Sequence, residues 1–559
     1  MADDLNNDTE PVAAPIRSLP GEPAVRRLAG SISRRFDQGA VGWEVVRVRL
    51  ASRATLADSV GDESVPAEGD DWRVLLRPAL LGFVAVCAVA VGASLPSSPF
   101  KLEMAGTWFF GLPSVQSGSS QAYLLPGLVS VYGGLILLAR VWFELLGIVR
   151  RRGGVPIRHL AVILALWSLP MLAVAPLFSR DVFSYAAQGE MMSRHINPYD
   201  YGPYTLGSGP YPNPVDQLWQ NTAAPYGPLF LMVAGFFATV TFHHEIYTVV
   251  LLRLLAVAGV ALIAWCVPKL ARAHGRDPGP VFVLAVLNPL VVLTLIGGAH
   301  NDAIMIGLLL AGITLARLDR PVWGVVLCTL AAAIKVPAAL GILYVGWQWL
   351  GSGLSVRQRV RPVVTAGLIA VAIMAFFSIV SGLGWGWVAN LETPGAVRSW
   401  LAPATGVGLA LSGLCHTVGI DVSLAGVLSF TRVIGLVSAG IIAAYLLANS
   451  DRVGALRALG LSLFCFVLLG PVVQPWYLTW GIIVLAPVAS ARLRGVLVAF
   501  SLCVPFIGLT GGRQLLNELL RADPAAVVAA LVVLIAVLVA PLRGWAPSRR
   551  SGVLHPSSA

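Results

Sequence analysis

The chain has 559 residues, of which 57% are hydrophobic and only 12% charged, with a mean hydropathy of +0.77. Soluble globular proteins carry about 25% charged residues, so a soluble fold is excluded. The net charge of +11 does not announce a nucleic-acid partner, because only three of the 39 cations are lysines and most arginines flank apolar runs, where they report orientation in a membrane.

The first stretch, 1–72, is polar and rich in acids (Asp3, Asp4, Asp62, Glu63, Glu68, Asp70, Asp71), and it reads as a disordered cytoplasmic tail without a cleavable signal peptide, with one amphipathic stretch at 41–50. Apolar runs of spanning length then recur from Leu76 to Leu542. They are apolar on every side, unlike the alternating strands of a barrel, so the fold class is all-α, a polytopic helical bundle. Arg73 and Arg77 put the start of the span 76–95 inside; 124–149 and 156–178 follow, separated by Arg150, Arg151, Arg152 and Arg158, and the chain emerges outside near Ser179. Between there and the inside cations Lys269, Arg272 and Arg276 only an odd number of crossings fits, so 246–268 spans and the short, proline-led 227–242 is re-entrant or interfacial. By the same rule 280–297, 302–318, a hairpin over 321–350, 362–381, 423–448, 456–473, 477–490, 495–510 and 524–542 cross, while 403–416 does not. The total is about fourteen spans. Both termini are cytoplasmic, and a membrane domain over 73–545 lies between the tail and a second short tail, 546–559.

This topology, built from the inside cations, gathers the unusual polar residues on the outer face. The first large external loop holds Arg180, Asp181, Tyr185 and Glu190, and later Tyr226. An acid within a turn of the membrane boundary can meet a lipid head group while apolar neighbours exclude water, so Asp181 is the candidate general base; capping of the helix that starts near Val182, or pairing with Arg180, is the alternative. His300, Asn301 and Asp302 form a tight external turn at membrane depth, where charges are functional or paired; a helix cap by Asn301 or Asp302 explains them equally. Lys335, near the tip of the hairpin, either contacts a phosphate or snorkels to the interface. Arg398 and Arg513 lie outside against the positive-inside tendency, as anion contacts or as paired surface cations. External aromatics, among them Trp219, Trp476 and Tyr477, suit either an interfacial belt or stacking on sugar rings, with Gln474 beside them. The six cysteines sit in apolar segments without CxxC spacing and read as packing residues. There is no Walker A, dinucleotide fingerprint, HExxH or DxD motif, so no cofactor is expected and a metal site is not assigned.

Taken in order, Arg180-Asp181-Val182-Phe183-Ser184-Tyr185, Pro225-Tyr226-Gly227-Pro228, Gly298-Ala299-His300-Asn301-Asp302, Lys335-Val336-Pro337 and Gln474-Pro475-Trp476-Tyr477 resemble the GT-C superfamily of membrane glycosyltransferases. Within it the pattern is similar to the actinobacterial polyprenyl-phosphate-mannose-dependent α-(1→6)-mannosyltransferases of lipomannan and lipoarabinomannan synthesis, over about 75–545. The resemblance implies an inverting transfer on the outer face of the plasma membrane, from the lipid-linked donor to a mannan or phosphatidylinositol-mannoside-type acceptor, with Asp181 as the base. It further implies that Lys335, Arg398 and Arg513 contact phosphate, that His300, Asn301 and Asp302 shape the sugar pocket, and that Gln474, Trp476 and Tyr477 flank it. Many superfamily members pair two external acids, whereas Asp181 has no acidic neighbour, which leaves metal dependence doubtful and Glu392 as an auxiliary candidate. Competing expectations are an arabinosyl- or glucosyltransferase using the same type of donor, a lipid-linked sugar flippase or transporter, whose site should sit at the midplane between repeats, and a non-catalytic membrane assembly partner.

Overall fold

A computed structural model describes residues 72–95, 98, 108, 123–398, 401–507, 509 and 523–539. The expected tails, the amphipathic stretch at 41–50 and Arg513 lie outside the described residues, apart from Trp72. Among the described residues the secondary structure is helical throughout, with no strand.

In chain order the main helices are α1 (Arg73–Ser94), α2 (Leu124–Arg152), α3 (Ile157–Ala173), α4 (Asp181–Ser193), α5 (Pro228–Val240), α6 (Glu245–Ala273), α7 (Pro278–Ala285), α8 (Asp302–Arg317), α9 (Pro321–Ala332), α10 (Ala339–Gln348), α11 (Val356–Val380), α12 (Pro403–Thr417), α13 (Leu424–Ala448), α14 (Ala455–Leu469), α15 (Leu478–Leu485), α16 (Ala491–Ile507) and α17 (Pro524–Val539). Five of them, α1, α2, α6, α11 and α13, are long and apolar enough to cross a membrane. The chain is a helical membrane protein. Their exposed positions carry large apolar side chains, such as Leu80, Leu368, Phe376, Phe430 and Ile441, as lipid contact demands.

Several other apolar segments are broken rather than continuous, and each break has a local cause. The run 280–297 divides into α7 and a π-helical turn (Val291–Ile296) around Asn288-Pro289, where proline removes a backbone donor and the Asn288 side chain bonds Leu284 O and Ser501 Oγ instead. The 321–350 hairpin is interrupted between α9 and α10 by an extended Lys335 and a 3-10 turn at Val336–Ala338, which includes Pro337. Breaks within a membrane bundle are tolerated where they line a cavity.

The core positions the short α4. Residues Val182 to Met191 of this helix are all buried, with α5 and α6 packed against it. A 13-residue helix is about 20 Å long, too short to cross the bilayer core, and the same holds for α5.

Candidate active site

Four segments converge, and each is held by backbone features its sequence dictates. Ahead of α4, Phe178 adopts a left-handed φ of 64°, and the amide of Asp181 donates to Ser179 Oγ at 3.2 Å. Asp181 makes no cap with its own side chain. Before α8, Ala299 takes a φ of 55° and turns His300 inward. A non-glycine residue in this region is a strained choice, and strain of this kind concentrates at functional sites. The two turns are tied together: Leu177 N donates to Gly297 O at 3.2 Å, while the buried Arg253 of α6 donates to Val174 O at 2.6 Å and Gly297 O at 3.0 Å.

The third segment, Pro225-Tyr226-Gly227-Pro228, lies against the break in the 321–350 hairpin. Gly227 N donates to Ile334 O at 3.0 Å, and a Cβ on Gly227 would fall 2.2 Å from Ala333 O. Only glycine permits that approach, and it sets the Tyr226 ring 5.9 Å from Lys335 Nζ. Tyr199 Oη secures the loop from behind by donating to Tyr226 O at 2.8 Å. The fourth segment, Pro475-Trp476-Tyr477, lays Trp476 on His300, with ring centroids 3.8 Å apart and planes 19° apart.

Asp181 Oδ2 lies 3.6 Å from His300 Nδ1, and that nitrogen is 3.4 Å from Tyr185 Oη. Arg180 is not its partner: the Arg180 side chain makes no hydrogen bond or ion pair among the described residues, although its carbonyl accepts from Phe183 N and Ser184 N. Burial pushes the Asp181 carboxyl up to about 6, against the opposing Lys335 charge and with a smaller upward push from Asp302. Burial, followed by Lys335, holds His300 well below the ordinary imidazole range, so it is neutral at neutral pH. Burial likewise keeps the Tyr185 and Tyr226 hydroxyls protonated.

Lys335 is buried rather than snorkelling. Its Nζ donates to Asp302 Oδ1 and Oδ2 at 3.0 and 2.9 Å, and it faces the rings of Tyr477 at 4.5 Å and Trp480 at 5.5 Å. Trp480 Nε1 donates to the same Asp302 Oδ1 at 2.6 Å. Asp302 is thus an ion-pair partner rather than a helix cap, and Asn301 at the cap position makes no capping bond: both polar atoms of its amide are buried without a partner.

Two cavities meet here. A polar one is walled by Asp181, Ser184 and Gln188 on one face of α4, by Trp219 and Thr222, and by Gln474, Trp476 and Tyr477. An apolar one of about 640 Å³ runs between α10, Leu436 of α13 and the end of α14, with Lys335 in its wall. They share Pro225, Tyr226, Val472 and Tyr477. Around the polar cavity, Ser184 Oγ, Gln188 Oε1 and Trp476 Nε1 are buried without a hydrogen-bond partner. Buried polar atoms are paired as a rule, and an exception at a cavity wall marks a place for a ligand or water. Among the described residues, no three His, Cys, Asp or Glu side chains stand close enough to share a metal ion.

The structure therefore brings together Asp181, Tyr185, Tyr226, His300, Asn301, Asp302, Lys335, Gln474, Trp476 and Tyr477. It does not bring in three others. Glu190 is turned to a separate network, accepting from Arg194 Nε at 2.6 Å and lying 2.9 Å from His243 Nδ1. Arg398 is exposed beside Arg432, and Arg180 does not line the cavity. Glu392 is exposed as well. Sequence reasoning passed over Ser184, Gln188, Arg253 and Trp480. The first two were discernible, since three and seven residues beyond Asp181 is one helical face; Arg253 and Trp480 lay inside apolar runs and carried no signal.

Family models match at two places: residues 79–351 fit an alpha-(1->6)-mannopyranosyltransferase N-terminal domain, and residues 404–539 fit an MptB C-terminal domain. A protein of Mycolicibacterium smegmatis named "Probable alpha-(1->6)-mannopyranosyltransferase" is 33% identical over 87% of this chain and 93% of its own length. An alpha-(1->6)-mannopyranosyltransferase of Mycobacterium tuberculosis is 30% identical over 88% and 93%, and alpha-(1->6)-mannopyranosyltransferase B of Corynebacterium glutamicum 29% over 83% and 82%. No solved structure matches the chain. Since both domain models match and relatives 30–33% identical are covered over nearly their whole length, this chain belongs to the α-(1→6)-mannopyranosyltransferase family.

Proposed function

We propose that the protein moves mannose from polyprenyl-phosphate-mannose to a growing α-(1→6)-mannan on the outer face of the plasma membrane, with inversion at the anomeric carbon. The observation that carries this reading is the junction of the two cavities. A polar chamber holding an acid of raised pKa shares a wall with an apolar channel of about 640 Å³ that Lys335 borders. A lipid-linked sugar has the same two halves, a polyprenyl chain for the channel and a sugar for the chamber, joined by a phosphate that belongs at the shared wall.

In the proposed step the acceptor hydroxyl oxygen attacks C1 of the donor while the Asp181 carboxylate takes its proton. The C1–O bond to phosphate breaks, and polyprenyl phosphate leaves with the electron pair. A carboxyl group that titrates at about 6 is mostly ionised at neutral pH yet more basic than an exposed aspartate, which suits this role. Phosphate is a competent leaving group and needs no second acid, unlike the alkoxide of a glycosidase. Lys335 supplies positive charge at the leaving oxygen, with Asp302 and Trp480 fixing its ammonium. His300 and Trp476 form a flat wall for the sugar. No metal takes part in this scheme. The topology that accompanies it has about fourteen crossings, both termini cytoplasmic, and the broken helices placing the site at the external boundary.

The test is transfer by purified protein in lipid nanodiscs from labelled polyprenyl-phosphate-mannose to a short α-(1→6)-mannoside, with the anomeric configuration of the product read by NMR. An α-linked product is expected. No transfer, or transfer only from a nucleotide sugar, refutes the proposal.

A further inference from the structure

We infer that Ser184, Gln188 and Trp476 form a subsite for the acceptor glycan that reaches past the reacting sugar to the unit before it. The inference rests on the proposed transferase reading and names the substrate of the same chamber more closely. Asp181, Ser184 and Gln188 stand at spacings of three and four residues on α4 and all line the polar cavity. Ser184 and Gln188 are each only 3% exposed, and Ser184 Oγ, Gln188 Oε1 and Trp476 Nε1 have no hydrogen-bond partner. Three unsatisfied atoms on side chains that line one chamber are a costly arrangement for a purely structural core, and a hydroxylated ligand has the complementary groups: it can donate to the glutamine oxygen, accept from the indole, and do either with the serine.

The direction follows from which walls are shared. Tyr226 and Tyr477 belong to both cavities, so the donor's phosphate and C1 lie on that side. Ser184, Gln188, Trp219 and Thr222 line only the polar cavity. From Asp181 to Gln188 the helix rises about 10 Å, which exceeds one pyranose ring. Beyond a hydroxyl activated at Asp181 the wall therefore continues by about one ring's length to Gln188, with the half-buried Trp219 lining the same chamber. The chain's specificity for an existing mannan, rather than for a single mannose unit, would reside there.

The experiment is a binding titration of the full-length protein in nanodiscs with methyl α-mannoside and with α-(1→6)-mannobiose, for wild type, Gln188→Leu and the better shape match Gln188→Met, with melting temperatures in parallel. Wild type should bind the disaccharide more tightly than the monosaccharide, and both variants should lose about tenfold of that preference, the worth of one buried hydrogen bond, with melting no lower than that of wild type and an unchanged KM for the lipid donor. Equal weakening for both sugars, a raised donor KM, or no preference in wild type overturns the inference. Because titration needs no donor, the two readings separate. Preference lost in the variants without any transfer by wild type refutes the donor scheme and leaves the subsite standing, whereas transfer with an intact preference in the variants refutes the subsite alone.

Discussion

Replacing Asp181 by Asn should remove activity and strengthen the fold at once. The side chain is 19% exposed, and its carboxyl is raised from 3.8 to about 6, chiefly by burial. A carboxyl whose folded pKa lies above its unfolded value is favoured in its protonated form by folding. The folded state is therefore relatively most stable below pH 4 and loses that advantage as pH rises through 6. The shift corresponds to roughly 3 kcal/mol. Asparagine has the same shape and no charge, so Asp181→Asn should be more stable than wild type by up to about 3 kcal/mol at pH 7.5 and equal to it below pH 4. The groups facing Asp181 do not offset this: His300 is held neutral, Tyr185 and Tyr226 stay protonated, and Lys335, Asp302 and Asp216 enter with opposing signs. Transfer should fall by about 10²- to 10⁴-fold, the usual contribution of a general base, and the wild-type kcat/KM should rise with pH to a plateau through an apparent pKa near 6. Thermal unfolding across pH, paired with the mannosyl-transfer assay, reads both. A variant that melts lower than wild type at pH 7.5, or that keeps activity within tenfold, defeats the reasoning.

Lys335→Met strands the fully buried Asp302 carboxylate and should cost about 3–5 kcal/mol, while the double variant Lys335→Met with Asp302→Asn should recover the melting temperature but not transfer. If the double variant is active, Lys335 does not serve the leaving phosphate. Gly227→Ala drives a Cβ to 2.2 Å from Ala333 O, so the Tyr226 loop must lift from the broken hairpin. We expect a loss of about 1–3 kcal/mol in unfolding and a fall in kcat/KM larger than the loss of folded protein explains. Arg253→Met releases the carbonyls of Val174 and Gly297 and should lower stability by about 3 kcal/mol; an unchanged melting temperature would show that the two turns need no tie.

The helical membrane class was legible because the composition admits little else, and the motif residues at 181, 226, 300–302, 335 and 474–477 do meet, since broken apolar runs carry polar groups where cavities form. Glu190 shows the limit of such reading. It shares a short helix with Asp181, yet nine residues is two and a half turns, which sends it to the opposite side and into the hands of Arg194 and His243. Arg398 differs: the positive-inside rule marks it as unusual, but the nearby cation that is structurally engaged is Arg432, which donates to Thr405 Oγ1, Gly395 O and Val397 O. A rule about loops reports a side of the membrane, not a contact. Trp480 and Arg253 were hidden for the reverse reason, because an apolar window around each makes it look like packing or a boundary residue, and only tertiary structure shows the atom its nitrogens meet.

What sets this site apart from the rest of the bundle is that local rules are broken there together. Two non-glycine residues, Phe178 and Ala299, hold left-handed backbone, a lysine and an aspartate are buried as a pair, and polar atoms of Ser184, Gln188, Asn301 and Trp476 are left unbonded. Each of these features costs on the order of 1–3 kcal/mol, and none is needed to build a helical bundle. Two other buried polar groups are fully bonded: Arg359 is paired with Asp451 and two carbonyls, and Asn288 spends both ends of its amide on bonds. The contrast is informative because packing alone would have removed such violations by exchanging Gln188 for leucine or Ala299 for glycine. Their coincidence with the cavity junction is what a site held ready for a charged, hydroxylated ligand requires, since groups already bonded to the protein would have to be released before they could bind it.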